Sequence, residues 1–186
     1  MGTWWATEAV PVAVTALVPL AFFPLLGIVD IQSAANPYAN KIVYLFLGGF
    51  LIATAIQKWD LHKRIALFVL NNAGSNGASL ILGFMATAAI ISMWVMNTAT
   101  TIMLLPIGLA VITVVKETVK GLSEREVESF QLALLLGIAY GATIGGMSTL
   151  IGTGPNGMLA AFMADNYDLD ISFTDWMKVG VPLSAV

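Results

Sequence analysis

The chain has 186 residues, of which 58% are hydrophobic and only 10% are charged, and its mean hydropathy is +0.86. Soluble domains carry roughly 25% charged residues, so this composition indicates an integral membrane protein and excludes an ordinary soluble domain. The net charge of −3 says little about partners, and the absence of cysteine excludes disulfides, thiol catalysis and thiolate metal sites.

Clusters of charged residues separate long apolar segments. The first segment, residues 4–28, contains Glu8 and several prolines, which predict a kinked helix or a pair of helices. Residues 41–57 predict a single membrane span with Gly48 and Gly49 at its middle. Residues 60–71 combine apolar and basic side chains in the pattern of a helix that lies in the membrane interface.

The next apolar segment, residues 78–115, carries no charged side chain and is too long for a single span of about 20 residues. Asn97 and Thr98 lie near its middle, so a turn there would return the chain to the side from which it entered. Most of the basic residues then share one side of the membrane, namely Lys58, Lys63, Arg64, Lys116, Lys120 and Arg125. Because Lys and Arg gather on one side in membrane proteins, the charge distribution predicts a re-entrant hairpin with Asn97 at its tip.

The last long apolar segment, residues 130–163, is interrupted by a glycine-rich stretch that runs from Gly145 to Asn156 and includes Pro155. Glycine and proline at these positions predict a broken helix. Irregular backbone at membrane depth is tolerated only where protein or a water-filled cavity satisfies its polar groups. The break and the hairpin tip therefore predict a transport site.

Both stretches offer ion-binding groups without an acidic side chain. The helix that begins near Thr98 would direct its positive dipole end towards the tip, where an anion fits. Carbonyl oxygens at the end of the incoming helix, near residues 92–96, suit a small cation such as sodium. Gly152 would allow close backbone approach, and Thr153 and Asn156 would supply polar groups.

Four motifs run through nearly the whole chain, namely Trp5–Pro11, Leu45–Phe50, Ser92–Thr101 and Gly145–Asn156. As a set they resemble the divalent anion:sodium symporters, the INDY-type sodium/dicarboxylate transporters. The resemblance implies that Asn97 and Thr98 contact a substrate carboxylate. It also implies that Ser92, Asn97 and Gly152 help to coordinate sodium. Thr153 is a further candidate for substrate binding.

Two positions depart from the pattern of that family. Met96 stands where the family signature has serine, so a hydroxyl is lost and only the Met96 backbone carbonyl remains as a possible sodium ligand. Gly154 stands where a proline is common, which predicts a more flexible loop.

The resemblance implies an all-α membrane protein that forms one half of an inverted-repeat transporter, with transmembrane helices, a re-entrant helical hairpin and a broken helix. We expect four regions along the chain. They are scaffold-type transmembrane helices (1–57), an interfacial helix and linker (58–77), a transport-type unit (78–163, with the hairpin at 78–115 and the broken helix at 130–163), and an external loop followed by the start of a further helix (164–186).

The function implied by the resemblance is sodium-coupled symport by alternating access, not enzymatic catalysis. The expected substrate is a divalent anion such as succinate, malate, citrate or sulfate. The implied partners are the lipid bilayer, a second inverted repeat of the same full-length protein and a second copy in a homodimer, with no nucleic acid. We expect the inner membrane of a bacterium as its location.

Alternatives remain open at the level of the sequence. A proton-coupled or exchange-type anion transporter would share this architecture, although the two polar stretches contain no titratable residue. A non-transporting membrane scaffold is a second alternative, in which Asn97 and Thr98 would only hydrogen-bond between helices. A membrane-embedded enzyme would need an acid or base at depth, and Glu8 is the sole candidate.

Overall fold

The computed structural model describes residues 1–72, 76–119 and 121–185, and these residues form helices and connecting turns without a strand. The α-helices are α1 (Gly2–Thr7), α2 (Val12–Ala16), α3 (Val18–Leu25), α4 (Ile31–Ala35), α5 (Lys41–Lys58), α6 (Leu61–Asn72), α7 (Gly77–Ser92), α8 (Asn97–Thr118), α9 (Glu124–Met147), α10 (Gly154–Tyr167) and α11 (Phe173–Ala185), with a 3-10 helix at Asn36–Ala39. This confirms the predicted all-α architecture. Residues 73–75, Lys120 and Val186, which belong to predicted segments, lie outside the described residues.

The chain divides into two compact units, residues 1–44 and residues 45–186. In the first unit, the predicted kinked helix or helix pair over 4–28 is instead a series of short helices. Glu8 adopts a left-handed backbone conformation (φ 49°) at the end of α1, and Pro11 caps the start of α2. Neither residue is favourable inside a helix, so the segment is interrupted between α1 and α2. The predicted scaffold region 1–57 extends beyond this unit and stays a prediction.

Three helices in the described part of the chain, α5, α8 and α9, are long and apolar enough to cross a membrane. Helix α5 matches the span predicted at 41–57. Helix α6 covers most of the helix predicted at 60–71, whose location in the membrane interface stays a prediction, and Asp60 lies in the turn that precedes it. The Lys63 ammonium donates a hydrogen bond to this exposed carboxylate at 2.9 Å, which lowers the pKa of Asp60 below its usual value.

Helices α7 and α9 pack side by side in a parallel arrangement. Gly137 of α9 faces Ile81 of α7, and Gly145 of α9 faces Ala89 of α7. The residue numbers of the contacts rise together along both helices, so the two helices point in the same direction. They therefore end at the same level of the bundle.

Helix α8 runs against α9 in the opposite direction. Asn97 at its start lies beside Gly146 near the end of α9, whereas Gly108 faces Ile138 further back along α9. Since α7 is parallel to α9 and α8 is antiparallel to it, α7 and α8 form a helical hairpin with Asn97 at its tip. The hairpin spans residues 77–118, close to the predicted 78–115.

Helix α9 begins at Glu124, before the predicted start of the broken helix at residue 130, because a capping box extends it into the charged segment. The Ser123 hydroxyl accepts a hydrogen bond from the Glu126 backbone N–H at 3.3 Å, and the Glu126 carboxylate accepts one from the Ser123 backbone N–H at 2.8 Å. These bonds satisfy N–H groups that the first turn of a helix leaves without partners.

We expect Ser123→Ala to destabilise the protein by about 1 kcal/mol, because it removes the side-chain acceptor at this cap. The measurement is the midpoint of thermal unfolding in detergent, which should fall. Ser79→Ala is the matched control, since the cap at the start of α7 uses the Ser79 backbone N–H, which alanine keeps. Equal midpoints for the two variants would contradict this account of the α9 start.

Candidate functional site

The tip of the hairpin and the break between α9 and α10 lie together at the ends of α7 and α9. A Cβ atom on Gly145 would collide with the backbone of Ala89, and one on Gly141 would lie 2.5 Å from the Met85 carbonyl oxygen. Only glycine permits so close an approach of two helix backbones. The glycines of α9 therefore bring residues 148–153 of the break against the tip at residues 93–96.

Asn97, the first residue of α8, is the half-buried side chain at the centre of this junction. Its amide can take two orientations, and the protein groups around it alone favour the second, which pairs the nitrogen with acceptors and the oxygen with donors. In one, the Asn97 Oδ1 atom accepts a hydrogen bond from the Ser92 hydroxyl at 2.8 Å. In the other, the amide nitrogen takes that position and donates to the oxygens of Ala142 (3.1 Å), Gly152 (3.2 Å) and Ser92 (hydroxyl, 2.8 Å).

The first orientation places several oxygen atoms around one point. Oδ1 of Asn97 then faces the carbonyl oxygens of Ala142 and Gly152, which cannot donate a hydrogen bond to it. The buried Ser92 contributes its hydroxyl, and its carbonyl oxygen lies against Gly152. Converging neutral oxygens of this kind are suited to a small cation such as sodium.

The three residues predicted as sodium ligands, Ser92, Asn97 and Gly152, are thus brought together in the structure. In the described part of the chain, no group of three or more His, Cys, Asp or Glu residues could hold a metal ion. A cation at the junction would therefore depend on neutral oxygens. The carbonyl of Ala142 joins this group although it was not predicted, because it comes from the interior of α9 and carries no sequence signal.

Thr149 connects the break to the tip and was missed as a site residue. Its buried hydroxyl donates to the carbonyl oxygen of Met93 at 2.5 Å and accepts from the backbone N–H of Gly152 at 3.1 Å. A threonine inside a glycine-rich break was the available signal. Thr149 holds the loop that contains Gly152 against the turn of the hairpin.

Asn156, in the first turns of α10, is also buried. Its amide nitrogen donates to the carbonyl oxygens of Gly146 at 3.0 Å and Thr149 at 2.8 Å. The last carbonyl groups of a helix have no partners within it, so this side chain satisfies groups that the break exposes. Asn156 was predicted to supply a polar group but was not predicted among the site residues.

The residues predicted to bind substrate lie at the start of two helices. Thr98 is exposed in the first turn of α8, and Thr153 is half-buried at the N-cap of α10. Helix N-termini carry free N–H groups and a partial positive charge, which favour an anion. Met96 is 42% exposed, and its carbonyl accepts from the Thr100 backbone N–H at 2.9 Å. Gly154 begins α10, and a Cβ atom added there would meet no atom within 4 Å.

Comparison with known proteins finds relatives over nearly the whole chain. The chain is 40% identical over 183 residues to the sodium-dependent dicarboxylate transporter SdcS of Staphylococcus aureus (strain USA300) and 42% identical over 183 residues to SdcS of Staphylococcus saprophyticus. Each match covers 98% of this chain and 35% of the relative, so the chain spans about a third of the length of these relatives.

A family model described as "Citrate transporter" (CitMHS) matches residues 3–186. The match covers the hairpin, the break and the residues around Asn97, and together with the relatives it confirms the family resemblance predicted from the motifs. The chain belongs to the citrate transporter family.

Proposed function

We propose that this chain forms one half of the transport site of a sodium-coupled symporter for dicarboxylates or similar divalent anions. The observation that carries the proposal is the convergence of Ser92, Asn97 and Gly152 oxygens at the junction of the tip and the break. The names of the staphylococcal relatives, sodium-dependent dicarboxylate transporters, support both the cation and the class of substrate.

In this proposal Asn97 couples the cation to the anion. With Oδ1 turned towards Ala142 and Gly152, the amide oxygen joins the ligands of sodium, and the amide NH₂ group turns away from them. In that orientation the NH₂ group faces only hydrogen-bond donors of the protein, so the acceptor it needs is a substrate carboxylate. In the opposite orientation, the NH₂ group satisfies the same carbonyl oxygens and is no longer available to the anion. Sodium binding thereby prepares the site for substrate.

The anion would lie against the N-termini of α8 and α10, with Thr98 and Thr153 as contacts. Both helices begin at the site and direct their N–H groups towards it. Succinate, malate, citrate and sulfate all present the oxygens that such groups bind. A second inverted repeat of the full-length protein would supply the remaining contacts, near the midplane of the membrane.

We also propose that the hairpin is re-entrant. Helix α7 has 16 residues, which correspond to about 24 Å, less than the roughly 30 Å hydrocarbon core of a bilayer. Lys116 near the end of α8 and Arg125 at the start of α9 lie at the opposite end of the hairpin from Asn97. With these charges at the cytoplasmic surface, α7 is too short to carry the tip across the hydrocarbon core, although α8 alone has the length of a span. The proposed setting is the inner membrane of a bacterium, as a homodimer.

The experiment is uptake of radiolabelled succinate by proteoliposomes that contain the full-length protein, with an inward gradient of sodium or of choline. We expect uptake with sodium to exceed uptake with choline several-fold, because the cation completes the site. Empty liposomes are the control. Equal uptake in sodium and choline would reject sodium coupling and favour an exchanger or a proton-coupled transporter.

We expect sodium binding to be independent of pH across the neutral range, because the proposed ligands are hydroxyl, amide and carbonyl oxygens that do not titrate there. The measurement is the rise in the midpoint of thermal unfolding that sodium produces in the detergent-solubilised protein, at pH values on either side of neutrality. A rise that disappears as the pH falls would show competition with protons and would contradict the proposed ligand set.

A further inference from the structure

Helix α11 lies against the end of α9 at the break. The residues that make this contact are spaced four apart, so they share one face of α11, and they are Trp176, Gly180 and Ser184. At its start, Phe173 of α11 also lies beside Trp94 of the hairpin tip, with 6.2 Å between ring centroids. Helix α11 therefore contacts both of the segments that form the proposed site.

Trp176 supplies a hydrogen bond to the last residue of α9. Its indole N–H donates to the carbonyl oxygen of Met147 at 2.9 Å. This carbonyl is among the terminal groups of α9 that have no partner inside the helix. The indole thus caps α9 from another helix.

Gly180 and Ser184 contact Ser148, the residue that follows Met147. A Cβ atom on Gly180 would lie 2.8 Å from the carbonyl oxygens of both Met147 and Ser148, so the α11 backbone rests directly on the break. The buried Ser148 hydroxyl donates to the Ser184 hydroxyl at 2.8 Å, and Ser184 in turn donates to the Gly180 carbonyl at 2.7 Å. The hydroxyl hydrogens of Ser148 and Ser184 therefore both have an acceptor.

Apolar packing is incomplete around these contacts. A cavity of about 390 Å³ opens between α11 and the break, with Met147 and Asn156 on one side and Trp176 and Gly180 on the other. The position of the break relative to α11 is therefore determined by hydrogen bonds and by the close approach at Gly180. A continuous packed surface does not determine it. Such contacts are directional, so the loss of one shifts the loop instead of only loosening it.

The loop held in this way contains one of the proposed cation ligands, Gly152. Ser148 is followed by Thr149, whose hydroxyl connects Met93 of the tip to the backbone N–H of Gly152. If Met147 and Ser148 move, Thr149 therefore moves with them and shifts Gly152.

We propose that Trp176 is a positioning residue for sodium binding, together with Gly180 and Ser184. From outside the binding site, these residues determine where the Gly152 carbonyl lies. The inference rests on the proposed sodium coupling and goes beyond it, because none of the three residues is among the proposed ligands of the ion or contacts of the anion. It predicts that changes on this face of α11 weaken sodium binding.

The test uses Trp176→Phe, which keeps an aromatic ring but removes the N–H donor, in the full-length protein. We expect the sodium concentration for half-maximal uptake to rise several-fold, while the maximal rate at saturating sodium stays near that of the parent protein. Trp59→Phe is the matched control, because Trp59 is 72% exposed in the turn after α5 and makes no part of the site. Ser184→Ala should act like Trp176→Phe, and Ser184→Thr, which keeps the hydroxyl, should restore sodium affinity.

A second measurement is independent of transport. Thr153→Cys in a cysteine-free background places a thiol at the end of the break, and its rate of labelling by a maleimide reports the position of the loop. We expect Trp176→Phe to change this rate and Trp59→Phe to leave it unchanged. The inference is overturned if Trp176→Phe alters neither the labelling rate nor the sodium dependence. If the parent protein shows no sodium-dependent uptake, the proposed function fails, whereas a changed labelling rate still supports the positioning role.

Discussion

Gly152→Ala is expected to reduce sodium-dependent uptake to the level of empty liposomes. A Cβ atom at this position would lie 2.5 Å from the Gly146 carbonyl oxygen and 2.8 Å from both the Gly146 Cα and the Ser92 carbonyl oxygen. These are backbone atoms of the helices that form the site, so no side-chain rotation relieves the contact. The Gly152 carbonyl must move away from Asn97, and the group of oxygens separates.

Gly48→Ala is the matched control, because a Cβ atom on Gly48 in α5 meets no atom within 4 Å. We expect this variant to transport at the rate of the parent protein. Both proteins should first be compared by size-exclusion chromatography in detergent, so that loss of folding is separated from loss of the site. A correctly folded Gly152→Ala protein with normal uptake would refute the role of Gly152 at the junction.

Substitution of Asn97 should separate cation binding from anion transport. Asn97→Ala removes both the amide oxygen and the amide nitrogen, so we expect loss of uptake together with loss of the sodium-dependent rise in thermal stability. Asn97→Asp keeps oxygen atoms beside Ala142 and Gly152 and adds a negative charge, which favours a cation. It lacks the NH₂ donor and repels a carboxylate. We expect this variant to retain stabilisation by sodium and to lose succinate uptake.

Asn166→Ala is the control for the Asn97 variants. Asn166 is exposed in α10, where its amide donates to the Phe162 carbonyl of the same helix. Its removal should leave both stabilisation and uptake unchanged. If Asn97→Asp transported succinate normally, the amide NH₂ group would not contact the anion, and the proposed coupling through Asn97 would be rejected. If Asn97→Asp lost the response to sodium, the amide oxygen would not be a ligand.

The helical hairpin and the break could be predicted from the sequence because both depend on residues that are close together in the chain. Asn97 interrupts an apolar segment that is too long for one span, and Gly152 lies in a cluster of glycine and proline where a helix cannot continue. Both features are visible in a short stretch of sequence. They predicted the tip at Asn97, and they predicted three residues that the structure brings together.

The first unit was harder to predict for an equally local reason. Apolar composition over residues 4–28 suggested a kinked helix or a pair of helices, yet α1 ends before Glu8 and α2 begins only after Pro11. Likewise, the broken helix was predicted to begin at residue 130, whereas the capping box of Ser123 and Glu126 begins α9 at Glu124. Caps and breaks depend on the backbone geometry of single residues. The average composition of a segment does not predict that geometry.

The sequence by itself determined that the chain is an all-α membrane protein and that polar groups collect at two points along it, since hydropathy and glycine content act over short distances. Tertiary structure alone decided which groups meet at those points. The Ala142 carbonyl faces Asn97, Thr149 reaches Met93, and Trp176 caps Met147 only because α9 packs parallel to α7 and beside α11. Each of these contacts joins residues far apart in the chain, and each depends on the distance between helix backbones, which no local pattern of residues encodes.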